Sequence, residues 1–270
     1  MTGVKPDKEF AGTIKKRFLS RFFKHFFHHI GHMNFRRSEE CSTILRWLAP
    51  QPGEQILDIG CGDGYYDWLI AKSGAKVVGI DIHQKCLPIA QKFYCSEFTD
   101  FFYMDAGEMN FPGACFDKVI SLCVIEHLGD DERMMQNISR VLNPGGHLVF
   151  SADSLSNPGI TPEEKKRHQA RYAVNTFYTE DIVREKLSRA GFDIEETQYI
   201  LDSPLALALV RSSWKLDDLP KAFFFFRLLG YLAAGIILKL FRLFTAHKTI
   251  RPAGGLTLLV RAKKPQILPE

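Results

Sequence analysis

Residues 55–64 read QILDIGCGDG, a short apolar run that stops at three glycines on alternate positions, and the fold turns on this stretch. Ile56, Leu57 and Ile59 have the β-branched and apolar character of a strand covered on both faces, and Pro52 and Gly53 mark where it begins. Gly60, Gly62 and Gly64 remove three side chains from the turn that follows. Such a turn tolerates positive φ angles and lets backbone amides come close to a bound molecule. The stretch reads as a buried strand feeding a ligand-contacting turn.

On either side the pattern repeats. Residues 38–48 read as a helix with Ser38 as its N-cap. After the glycine turn come a helix over 65–73 ended by Gly74, a buried strand over 76–80 (KVVGI) ending at Asp81, a helix over 84–94, and a strand over 101–104 that stops at Asp105. Residues 116–122 are a fourth strand, 131–142 a helix ended by the turn Asn143-Pro-Gly-Gly146, and 147–151 a fifth strand. Strands alternating with helices imply βαβ crossovers and a parallel sheet. Beyond Ser151 a loop runs to about Thr176, followed by a capped helix over 179–190 and strands over 192–200 and 256–262.

Two cofactor readings compete for the turn. A nicotinamide-binding turn requires G-x-G-x-x-G, but the residue five after Gly60 is Tyr65, and the glycines fall as G-x-G-x-G. Asp81 closes the second strand where a carboxylate accepts both hydroxyls of a ribose. Asp105 closes the third, and DKVISLCVIEHL makes up the fourth strand and the turn after it. With these signals in place the chain resembles the class I S-adenosylmethionine-dependent methyltransferases, in the small-molecule subgroup that includes the quinone O-methyltransferases. The resemblance covers residues 55–151 and extends more loosely to the last strand. It implies an α/β, Rossmann-like fold with a mostly parallel seven-stranded sheet and helices on both faces.

Position by position, the resemblance gives Asp58, Gly60, Cys61, Gly62 and Gly64 to the methionine and ribose portion of S-adenosylmethionine. It gives Asp81 to the ribose hydroxyls, Ile82 and Ala106 to the adenine, Asp105 to its amino group, and Cys123 and Val124 to the methionine moiety. For each acid alone, a helix N-cap is the competing reading. Methyl transfer from a sulfonium needs alignment and exclusion of water, with no metal required. A hydroxyl acceptor also needs a base, for which His127 after the fourth strand is the catalytic candidate, with capping or packing of the turn as its alternative. His168, Arg171 and Tyr172 in the loop after the fifth strand are candidates for the substrate site.

Composition adds what the motif does not. The 270 residues are 46% hydrophobic and 24% charged, which excludes disordered and collagen-like classes. Residues 1–37 carry a net +7 and 211–251 a net +6 in a chain of net +4, so the rest sums to −9. An acidic body with two basic, aromatic-rich flaps suggests an anionic membrane surface more than nucleic acid. The six cysteines form no CxxC pair and nothing resembles a cleavable signal peptide, so a reducing, cytoplasmic setting is expected.

In residues 10–30 the apolar residues recur in pairs every four positions, with Arg17, Arg21, Lys24 and His25 opposite them, as in an amphipathic helix that packs on the body or lies in a membrane interface. His25, His28, His29 and His32 lack the acid or thiol partners of a metal site. Residues 222–244, AFFFFRLLGYLAAGIILKLFRLF, are long enough to span a bilayer, but Arg227, Tyr231, Gly235, Lys239 and Arg242 share one face, as in an interfacial helix. The expected organisation is a basic segment over 1–37, a methyltransferase domain over 38–201 and 255–264, and an apolar helical insertion over 202–254 acting as lid and anchor. A hydrophobic or lipid-attached acceptor at the inner face of a membrane follows. The competing readings are a soluble metabolite acceptor with the apolar segments forming a homodimer interface, and a non-catalytic membrane-bound interaction protein.

Overall fold

The computed structural model describes residues 34–220, 223–245 and 253–266. The helix expected over 10–30 and its histidines lie outside the described residues. A single seven-stranded sheet runs in the order β3-β2-β1-β4-β5-β7-β6. Its strands are β1 (Gln55–Ile59), β2 (Lys76–Asp81), β3 (Thr99–Tyr103), β4 (Phe116–Leu122), β5 (Leu142–Asp153), β6 (Asp193–Ile200) and β7 (Thr257–Lys263). β1 to β5 pair in parallel, and β7 runs antiparallel between β5 and β6. The sheet and its seven strands match the expectation from the glycine turn.

Neighbouring side chains along each strand enter opposite layers, as period-two alternation requires. Leu57, Val119, Leu148 and Phe150 pack under α4 (Asp131–Val141) and α6 (Glu180–Arg189). Ile56, Ile120, Val149 and Leu259 pack under α1 (Phe35–Leu48) and the helices of the insertion. α2 (Tyr65–Ala71) and α3 (Leu87–Phe93) complete the α/β alternation.

Several boundaries move, each for a local reason. α1 begins three residues before Ser38 because Asn34 is its cap, its side chain accepting from the Arg36 N–H at 3.0 Å. The fifth strand starts at Leu142, so Asn143–Gly146 belongs to it; the irregular register between Phe116 and Lys118 of β4 absorbs these extra residues. The stretch expected as loop contains α5 (Pro162–Tyr172), which buries none of its residues. Thr161 and Glu164 close a capping box at its start.

The insertion is two helices, α7 (Pro204–Asp217) and α8 (Phe224–Thr245). The apolar part of α8, Phe224–Phe241, is long enough to cross a membrane by length and composition, with a mean hydropathy of 1.8. Yet β6 and β7 on either side of the insertion are adjacent strands, Ile200 opposite Thr257, and one crossing would part them. The first three residues of the polar stripe face the protein. Arg227 and Tyr231 both bond Asp217 of α7, Arg36 of α1 reaches the same carboxylate at 3.0 Å, and Gly235 lies against Phe35. Outward go Phe225, Phe226, Leu229, Ile236, Ile237, Leu240 and Leu243, each 45–72% exposed.

Candidate active site

The turn after β1 is fastened over the end of β2. The N–H groups of Gly60 and Cys61 both donate to the Ile80 carbonyl, at 2.8 and 3.1 Å. Gly60 has φ +78°, and a Cβ there would stand 2.2 Å from Val124 Cγ2, so the turn and the end of β4 meet through a missing side chain. Gly62 also has positive φ, +57°, but nothing lies within 4 Å of where its Cβ would be. Its N–H donates to Asp81 Oδ2 at 2.7 Å, while Asp81 Oδ1 accepts from the His83 N–H at 2.6 Å. Next to this carboxylate Ile82 stands 55% exposed, an apolar surface at the rim of the opening. An open, side-chain-free backbone beside an oriented carboxylate and a bare isoleucine fits a nucleoside-bearing cofactor. At Gly64, φ +80°, the missing side chain instead makes room for Ala90 and Phe101.

Not every expected cofactor residue offers its side chain. Cys61 is buried among Tyr65, Leu87, Ala90, Tyr94 and Phe101, so only its backbone belongs to the turn. Asp105 caps the short turn Ala106–Glu108, its Oδ1 accepting from the Gly107 N–H at 2.7 Å; the helix-cap reading holds for that oxygen. Ala106 is buried beneath it. Asp58 lies buried beneath the turn with Asp67 of α2. Burial pushes Asp58 up to about 7, and burial with the Asp58 charge pushes Asp67 up as well. The pair therefore retains a proton near neutral pH.

Where β4 ends, Cys123 adopts φ +53°, a left-handed conformation sparsely used by non-glycine residues. It is held there by its N–H, which donates to the Ser151 backbone oxygen at 3.2 Å and to its hydroxyl at 3.0 Å. Beyond Cys123 opens a cavity of about 250 Å³. Its polar side is Glu40, Glu126, Asp153, His127 and His168; its apolar side is Leu155, Leu201, Val210, Trp214 and Leu256. Val210 and Trp214 come from α7, so the insertion does form a wall of the cavity. A separate groove of about 420 Å³ between α1, α2 and α8 touches none of the expected site residues.

The comparisons with known proteins bear on the donor half of this arrangement. Residues 57–150, from β1 through most of β5, match the family model described as a methyltransferase domain. Residues 57–150 are thus a methyltransferase domain of the class I S-adenosylmethionine-dependent kind. An O-methyltransferase of Pyrenophora dematioidea is 29% identical over 158 residues, 57% of this chain and 59% of that protein. A ubiquinone biosynthesis O-methyltransferase of Paracidovorax citrulli is 37% identical over 126 residues, 43% and 52% of the two chains. The chain thus spans a little over half the length of these curated relatives. The solved structure of a Haemonchus contortus phosphoethanolamine N-methyltransferase with S-adenosyl-L-methionine superposes with a TM-score of 0.63 at 20% identity, covering 84% of this chain and 53% of that one. The cofactor is S-adenosylmethionine, and the fold is the one expected.

The acceptor-side residues sort differently from the expectation. His127 sits at the cavity rim, exposed, with Nδ1 3.4 Å from the Ala173 carbonyl oxygen. His168 is deeper, and its Nε2 is 2.6 Å from Asp153 Oδ2. Tyr172 lies against the His168 ring, centroids 4.6 Å apart, and also lines the cavity. Arg171 turns away to pair with Asp218 at 2.7 Å and does not line it.

Three cavity residues went unread. Asp153 closes β5 as Asp81 closes β2, so the strand-end rule already used would have found it. Glu40 has no local signature. It is buried on α1, 2.8 Å from Arg37, and accepts hydrogen bonds from Ser151 and, at 3.2 Å, from Cys123 Sγ. Glu126 is wholly buried with Oε1 accepting from the Asp153 N–H at 3.2 Å and Oε2 unpartnered; burial and the Asp153 charge push it up to about 8. Cys123, Glu126 and Asp153 each bring one ligand atom within 4.8 Å of the others. Burial and Glu40 hold the Cys123 thiol protonated, and His168 engages Asp153.

Proposed function

We propose that this protein transfers the methyl group of S-adenosylmethionine to a hydrophobic, lipid-soluble or lipid-attached acceptor while lying on the inner, cytoplasmic face of a membrane. The cofactor, when bound, supplies an electrophilic methyl on a sulfonium. The chain's own part is to hold it through Gly60, Gly62, Asp81 and Ile82, to keep water from the cavity beyond Cys123, and to orient the acceptor there. The single observation that carries the membrane reading is the outward face of α8. Seven large apolar side chains point away from the protein on one helix, while Arg227 and Tyr231 of its polar stripe are spent on Asp217. A helix that turns so large an apolar face to solvent is arranged for an apolar neighbour. Support for an apolar acceptor comes from the Leu201, Val210 and Trp214 wall and from the ubiquinone-pathway relative.

The test has two parts. Full-length protein should float with vesicles rich in anionic lipid, and Leu229→Glu/Leu240→Glu should stay in the soluble fraction while still binding S-adenosylmethionine by calorimetry. Lipid extracts incubated with enzyme and labelled donor should acquire label in the organic phase. A wild-type protein that ignores vesicles and sediments as a dimer refutes the membrane reading in favour of a homodimer interface. Failure to bind the donor refutes the enzyme.

A further inference from the structure

Resting on that reading, we infer that the acceptor atom is a hydroxyl oxygen, and that His168, oriented by Asp153, is the base that takes its proton. Asp153 and His168 come from different elements, the end of β5 and the middle of α5, yet meet at 2.6 Å inside the cavity lined by Cys123, whose chain neighbour Val124 packs against Gly60 of the cofactor turn. With Nε2–H donating to Asp153, the unprotonated nitrogen of the ring is Nδ1, which makes no hydrogen bond among the described residues. Tyr172 lies against the same ring and Trp214 flanks it from α7, fixing its plane. A carboxylate that holds one imidazole nitrogen sets the tautomer and stabilises the imidazolium formed when the other takes up a proton. His127, in contrast, has a carbonyl oxygen for its nearest partner and stands in solvent.

Charge in the cavity restricts the acceptor further. Both guanidinium groups at its edge are already paired, Arg36 with Asp217 and Arg37 with Glu40. Glu40, Glu126 and Asp153 add three acids to the polar side, so among the described residues that line the cavity neither guanidinium is left free for a carboxylate or phosphate head. A neutral amine brings its own lone pair and has no need of a histidine–aspartate pair. A hydroxyl does need one, since its proton must leave as the new bond forms. In the balanced step the O–H bond breaks with its proton passing to His168 Nδ1. The oxygen's electron pair then forms the O–CH₃ bond as the S–CH₃ pair returns to the donor sulfur, leaving S-adenosylhomocysteine and a methyl ether.

The experiment offers full-length enzyme labelled S-adenosylmethionine and three probes with comparable apolar tails: 4-nonylphenol, 4-nonylaniline and decanoic acid. The phenol should be methylated in preference to the others. His168→Gln should lower kcat on it by about 10²- to 10⁴-fold with KM changed less than threefold, and Asp153→Asn should fall between. Independently, ¹⁵N spectra of histidine-labelled protein should show His168 protonated at Nε2 alone, with Nδ1 shifting when 4-nonylphenol is added and Asp153→Asn abolishing that tautomer preference. Preference for the aniline or the acid, methylation of none of the three, or a larger kcat loss in His127→Gln than in His168→Gln overturns the inference. Because donor binding and vesicle flotation are read separately, failure here is distinguishable from failure of the proposed function.

Discussion

Two neighbouring glycines should fail in different ways when given one extra carbon. At Gly60 alanine must hold φ +78° and place its Cβ 2.2 Å from Val124 Cγ2. The left-handed backbone costs about 1–2 kcal/mol and the overpacking about 1–3 kcal/mol, so Gly60→Ala should lose about 2–5 kcal/mol of stability. For a domain of this size that lowers Tm by on the order of 10 °C. Gly62→Ala, at φ +57° with nothing within 4 Å, should pay only the backbone part, about 1–2 kcal/mol. Its Cβ instead occupies the open side of the turn, and donor affinity should fall about tenfold or more, the equivalent of 1.4 kcal/mol. Differential scanning calorimetry and titration calorimetry with S-adenosylmethionine separate the two. The overpacking share is tested by Val124→Ala in the Gly60→Ala background, which should recover about 1–3 kcal/mol as a coupling energy. If the double variant recovers nothing, or if Gly62→Ala binds the donor as tightly as wild type, the assignment of the two glycines is wrong.

Three further expectations follow from the charged groups. Asp58 and Glu126 have folded-state values raised to about 7 and about 8, so the native protein binds more protons than the unfolded chain between about pH 4 and 8. Stability should therefore fall as pH rises through that window, by up to about 1.4 kcal/mol per unit for each group, and Glu126→Gln should flatten the slope measured by urea denaturation. Asp217→Ala leaves Arg36, Arg227 and Tyr231 without their shared acceptor and should cost about 3 kcal/mol, with limited proteolysis showing α8 cut before the sheet. Glu164, held at about 2 chiefly by its hydrogen bonds to Arg211, joins α5 to α7 on an exposed surface. Glu164→Gln should change global stability by less than about 1 kcal/mol while speeding hydrogen exchange across α5.

The parallel sheet was legible because its signals are local: apolar runs of strand length, glycines where the chain turns, acids where strands end. β1, β2 and β4 carry those signals within a few residues. α5 escaped because hydrophobic periodicity detects only helices that bury a face, and this one buries none; the Thr161–Glu164 capping box was its sole local mark. The polar stripe of α8 was visible, but the direction of Arg227 and Tyr231 was not, since the partner that turns them inward is Asp217 on another helix. The same limit applied at the site. Asp81 and Asp105 announce themselves at strand ends, whereas Glu40 acquires its role only when α1 docks against the ends of β4 and β5.

α5 roofs the cavity, yet little apolar area fastens it there. Glu164 to Arg211, Arg171 to Asp218 and His168 to Asp153 tie it to the body, and these pairs, like Lys165 over Phe177 and Arg167 over Trp214, involve groups that carry or can acquire charge. The screening length shrinks from about 8 Å in physiological salt to about 3 Å at 1 M, so the electrolyte loosens these ties while leaving the sheet beneath untouched. The two parts of the molecule thus obey different variables: the sheet answers to temperature and denaturant, and the roof over the acceptor answers first to ionic strength.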